Sequence, residues 1–77
     1  MEKAIVLLNE INKVKDFSRE ICQIDSDVDF VRGRYVFDAK SMMALFTVDL
    51  SEPLEIVLHS DNEDEITLFY EIMEKYK

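Results

Sequence analysis

The sequence has one cysteine, one glycine, one proline, one histidine and no tryptophan. Cys22 alone can form no intramolecular disulfide, which excludes a disulfide-stapled secreted scaffold and fits a reducing interior. With no second histidine or cysteine and no glycine-rich loop, the chain offers no zinc site, no Cys-His pair and no phosphate cradle. So little glycine and proline argues against a long disordered linker. Positive charge is scarce too: 9 Lys and Arg stand against 17 Asp and Glu, a net charge of −8. Nucleic-acid backbones and anionic lipid surfaces would be repelled by most of such a surface. The only early apolar run, Ala4 to Leu8, is far shorter than a membrane span or a signal-peptide core. These absences predict a cytoplasmic, non-enzymatic protein with no cofactor, no metal, no nucleic-acid partner and no membrane insertion.

At 77 residues and 9.1 kDa the chain is read as one domain, 1–77, with a thin core of two layers at most. Ala4 to Leu8 reads as a first strand. Val14, Phe17, Ile21 and Ile24 recur at spacings of three and four and make one apolar helical stripe. Cys22 lies beside it as a small residue at the edge of the core. Asp25-Ser26-Asp27-Val28-Asp29 alternates carboxylates like the start of a calcium loop. The pattern fails, because the places for the turn glycine and the bidentate glutamate hold Phe30 and Val36. It reads instead as a loop entering a strand, with Val28 and Phe30 inward and Asp27 and Asp29 toward water. Gly33 lies between two apolar alternations, where a hairpin turn needs positive φ. Its neighbours Arg32 and Arg34 read as solvated turn residues. Tyr35, Phe37 and Ala39 then point one way, Val36 and Asp38 the other.

Asp38 to Ser60 is the organising stretch. Ser41 has the side chain of an N-cap ahead of Met42, Met43, Ala44, Leu45 and Phe46, which form a short helix that breaks by Pro53. Leu54, Ile56 and Leu58 alternate with Glu55, Val57 and His59, the period of a strand with one apolar and one mixed face. On the short helix Met42 and Phe46 share a side that Leu45 does not, so they are expected to be exposed and Leu45 buried. His59 falls on the mixed face, solvent-facing and near Asp61 to Glu65. Ser60 to Glu65 is dense in capping residues and first-turn carboxylates, which the N-terminal end of a helix dipole favours. Ile66, Phe69, Ile72, Met73 and Tyr76 give that last helix its buried stripe, and Lys75 and Lys77 its cationic end.

The run Lys40-Ser41-Met42-Met43-Ala44-Leu45-Phe46, followed by Glu55-Ile56-Val57-Leu58, resembles the HPr family of the bacterial sugar phosphotransferase system. The likeness runs without a gap from Asp25 to Met73. It implies an α+β open-faced sandwich of order βαββαβα, with a four-stranded antiparallel sheet in the order 1-4-2-3 and three helices on one face. It also implies that Ser41 matches the family's regulatory phosphorylation site, and that Met42, Met43 and Phe46 meet protein partners, among them phosphotransferase-system or regulatory proteins. The family's His-Ala-Arg-Pro motif, whose histidine accepts the phosphoryl group, falls near Glu10, Ile11, Asn12 and Lys13, none of which matches. The expectation is therefore a monomeric, non-catalytic HPr-like module, regulatory or protein-binding, that has lost its phosphoryl acceptor. The alternatives are a phosphocarrier using His59 or Glu10, and an unrelated ferredoxin-like binding domain.

Overall fold

The computed structural model describes all residues, Met1–Lys77. Seven elements follow one another: β1 (Glu2–Val6), α1 (Ile11–Ile21), β2 (Val28–Arg32), β3 (Tyr35–Asp38), α2 (Met42–Leu45), β4 (Leu54–Leu58) and α3 (Glu63–Glu74). The strands form one antiparallel sheet in the order β1-β4-β2-β3, which is the order the resemblance implies. The register sets Ala4 beside Ile56, Ile56 beside Phe30 and Phe30 beside Phe37. Because side chains alternate along a strand, that row and its neighbours Val6, Val28, Leu54 and Leu58 face one side of the sheet. They join Val14, Phe17 and Ile21 of α1, Leu45 of α2, and Phe69, Ile72 and Met73 of α3 in a single core. The other face carries Lys3, Ile5, Asp29, Val31, Val36, Glu55 and Val57, with no helix over it.

β1 begins and ends two residues earlier than the Ala4 to Leu8 run suggests. Pairing overrides local composition: Glu2 to Val6 lie opposite Leu58 to Leu54, all that β4 offers. Leu7 has left the ladder and donates its N–H to the Tyr76 carbonyl at the end of α3, 2.7 Å away. Ile5 consequently stands on the uncovered face. Gly33 takes the positive φ expected of it, +61°, at the first position of the two-residue β2–β3 turn. No other residue has positive φ, which suits a II′ rather than a I′ hairpin.

The helices are tied to one another by polar side chains. Glu20 of α1 accepts hydrogen bonds from Lys75 Nζ and the Tyr76 hydroxyl beyond α3. The Lys75 bond, then the Tyr76 bond, holds the Glu20 carboxyl below its ordinary range. Burial, then Glu20, pushes the Tyr76 hydroxyl up. The Tyr76 ring stands edge-on to Phe17 at 5.4 Å between centroids, so one aromatic side chain closes the α1–α3 contact with both its apolar body and its polar tip.

At the other end of α3, Asn62 is the N-cap: its Oδ1 accepts the Glu65 N–H at 3.1 Å. The Glu65 carboxylate does not return to the Asn62 N–H as in a capping box. Ser60 Oγ takes that N–H instead, at 3.1 Å. Glu65 reaches across the molecule, accepting the Asp25 and Ser26 N–H groups at 3.0 and 3.2 Å and the Ser26 and Ser60 hydroxyls at 2.6 Å each. Asp25 and Ser26 thus donate to an anion here, the opposite of what a cation loop does. The hydroxyl bonds from Ser26 and Ser60 are the main cause of a Glu65 pKa lowered from 4.5 to about 2. A group whose pKa is depressed by folding stabilises the fold above its unfolded pKa and ceases to do so as pH falls through the folded one. Glu65→Gln is therefore expected to lower the melting temperature at pH 7, with the gap to the parent chain narrowing below pH 5 and closing near pH 2. Parallel melting curves for the two proteins across that range would show that the carboxylate charge does not fasten this loop.

Candidate functional site

α2 is only four residues long, and a side-chain hydrogen bond closes each of its ends. Ser41 Oγ accepts the Ala44 N–H at 3.3 Å, and the Thr47 hydroxyl donates to the Ala44 carbonyl at 2.6 Å. So short a helix has no stability of its own and must be held by its surroundings. Leu45 does this from below, fully buried against the core. Lys40 does it from the N-terminal side: its Nζ donates to the Ile24 carbonyl just beyond α1 at 2.5 Å, and its N–H to Asp38 Oδ1 at 2.9 Å.

Arg32 holds the loop that follows. Its guanidinium reaches the Glu52 carboxylate at 3.2 Å and the carbonyls of Asp49, Glu52 and Pro53 at 3.0, 3.4 and 3.5 Å. Arg32 is thus a clamp and not the solvated turn residue that its place beside Gly33 suggests. Its five donors arranged in a fork suit several acceptors on one irregular segment. Within that loop Asp49 Oδ1 accepts the Ser51 hydroxyl and N–H at 2.6 and 3.0 Å. These bonds hold the Asp49 carboxyl below its usual range.

With the helix fixed on both sides, its outer surface is apolar. Met43 is 83% exposed, Phe46 48% and Met42 37%. Phe46, at the C-cap, keeps right-handed helical dihedrals, so Met42 and Phe46 lie four residues apart on one side, as the spacing predicts. Ser41 sits at the start of the same surface, half-buried. Sequence reasoning brought these four residues together; it missed Lys40 and Arg32, which position them. The one available signal for Arg32 was its being one of two cations flanking the only glycine.

The two alternative phosphoryl acceptors do not meet. Glu10 is the N-cap residue of α1, exposed, and its carboxylate makes no capping bond. His59 follows β4, next to the N-terminal end of β1, because Glu2 pairs with Leu58. Glu10 lies past the C-terminal end of β1, so the sheet separates them by its full length. His59 is partly exposed but not simply solvated: its Nε2 lies 2.8 Å from Asp29 Oδ2 across the open face, and its N–H donates to the Asp27 carbonyl at 3.0 Å.

No family model matches the sequence, and no curated protein matches it. A solved structure of HPr-C-His from Thermoanaerobacter tengcongensis is similar to this chain with a TM-score of 0.75, over 97% of this chain and 93% of that one, at 14% sequence identity. At that identity the likeness carries the fold, an HPr-like open-faced sandwich with strand order 1-4-2-3 and three helices on one face.

Proposed function

We propose that the protein is a non-catalytic, HPr-like interaction module related to the phosphotransferase system, which docks a protein partner through Met42, Met43 and Phe46. The observation that carries this reading is the exposure of three large apolar side chains on and beside a short helix whose preceding residue and following loop are held by polar bonds. A hydrophobic patch so displayed marks a contact surface, and methionine suits an adaptable one. The reading is of a monomeric, cytoplasmic domain with a regulatory role and no reaction of its own. Its surface charge of −8 turns nucleic acid away, and no helix is long and apolar enough to cross a membrane.

The start of α1 supports the loss of the acceptor in this reading. The resemblance sets the family's His-Ala-Arg-Pro motif near Glu10, Ile11, Asn12 and Lys13, and the negative charge of Glu10 repels a phosphoryl group. A working phosphocarrier is the second reading, and the contact between Asp29 and His59 favours it, since a carboxylate fixes an imidazole for attack. Asp27, Asp29, Asp61 and Glu65 crowd that end of the sheet with negative charge, however, which disfavours a phosphorylated imidazole.

Ser41 is proposed as the modification site that regulates docking. A phosphate there would stand beside Met42 and turn part of an apolar contact into a charged one. Two outcomes are expected. Replacing both Met42 and Phe46 with serine should leave stability within about 0.5 kcal/mol per site, as for other exposed positions, while abolishing capture of the partners that the parent chain retains from native extract. Identical captured sets for both proteins would place docking elsewhere. Ser41→Ala should cost about 1 kcal/mol by removing the cap, and Ser41→Asp should keep the stability of the parent. A melt ranking Ala at or above Ser would remove the capping role, and an Asp variant that binds partners as the parent does would remove the regulatory one.

A further inference from the structure

The sheet has two free edges, and that of β1 is built differently from that of β3. β1 is hydrogen-bonded only to β4. An antiparallel ladder engages the N–H and C=O of alternate residues, so the other half of the β1 backbone groups face away from the sheet as a template for another strand. Alongside that edge runs a cavity of about 600 Å³, lined by Ala4, Ile5, Val6 and Leu7 on one side and by Tyr70 and Met73 of α3 on the other. Tyr70, Met73 and Glu74 lie on one side of α3, and that side runs beside the strand, with Lys77 just beyond the end of the helix. Ile5 and Tyr70 stand in water at 54% and 41% exposure, on the rim of the same groove. Tyr70 is not free to fold in and fill it, because its hydroxyl donates to Glu2 Oε1 at 2.7 Å.

The geometry points to strand addition: the β1 edge takes an extended, cationic segment of a partner protein, which continues the sheet and sets its apolar side chains against the exposed rim of Ile5 and Tyr70. Backbone pairing supplies the affinity common to such sites, and the groove selects the side chains. Charge selects the occupant. Glu2 and Glu55, the latter being the cross-strand neighbour of Ile5, stand against one cation, Lys3, while Glu74 and Lys77 pair with each other and cancel. A second copy of the chain would bring another net charge of −8 to the same place, which opposes pairing of two β1 edges. The site uses none of the α2 residues, so this inference stands whether or not α2 docks a partner.

The test is a titration of the isotopically labelled full chain with a synthetic peptide of alternating lysine and valine, followed by amide chemical shifts and hydrogen exchange. Shifts are expected for residues 2–7 and 70–77, with slowed exchange at alternate β1 amides. The matching glutamate-valine peptide should bind at least about tenfold more weakly, a difference of about 1.4 kcal/mol. Ile5→Lys should weaken the lysine peptide to a similar degree, with an unchanged melting temperature, since Ile5 is largely exposed. Absence of shifts, shifts confined to β3 or α2, or equal binding of the two peptides would overturn the proposal. So would a dimer in sedimentation that Ile5→Lys dissolves, which would make a second copy the occupant.

Discussion

β4 is hydrogen-bonded on both sides, to β1 and to β2, and its inward row of Leu54, Ile56 and Leu58 is fully removed from water. Each such side chain contributes about 1.5–3 kcal/mol of hydrophobic stabilisation, and the three sit where every helix meets the sheet. Even on the opposite face Val57 is only 5% exposed, shielded by its neighbours without any helix above it. The strand thus sets the geometry for the rest. β1 can begin and end only where β4 does, β2 and β3 continue the sheet in one direction, and the three helices must share the one face that Leu54, Ile56 and Leu58 define.

A core of this size cannot also hold the loops, and side chains of opposite polarity do so. Glu65 gathers two backbone N–H groups and two hydroxyls from segments far apart in sequence. Arg32 gathers carbonyls and a carboxylate. Lys40 closes a gap between α1 and α2. In each case an ionised side chain meets backbone groups of another segment, a pairing stronger than one between neutral groups. Between these anchors α2 sits with Leu45 as its foot and Met42, Met43 and Phe46 outward.

The elements that follow from short-range pattern were legible in the sequence. The alternation of Leu54 to Leu58, the stripe of Val14, Phe17 and Ile21, the positive φ of Gly33 and the cap at Ser41 each rest on residues a few positions apart. The strand order came from the resemblance, and not from periodicity, which carries no information on which strands pair. What was not legible is long-range and polar. Arg32 meets partners 17 to 21 residues away, His59 meets Asp29 at 30 and Glu65 meets Ser26 at 39. A charged residue looks solvated in any local window, so nothing near Arg32, Asp29 or Glu65 announces its partner. β1 was misplaced for a related reason: an unbroken apolar run does not say where its partner strand ends.

The same scaffold leaves the phosphoryl question to a few side chains. Glu10 caps α1 with its backbone alone, and the one histidine sits at the far end of the sheet beside Asp29. Neither place combines a neutral nucleophile with positive charge or free amides to steady a phosphoryl group. The most direct measurement is incubation of the protein with phosphoenolpyruvate and the general enzyme of the phosphotransferase system, followed by intact mass. An unchanged mass is expected under conditions that phosphorylate an ordinary HPr; stoichiometric, acid-labile addition of one phosphoryl group would contradict the proposal that the chain accepts none.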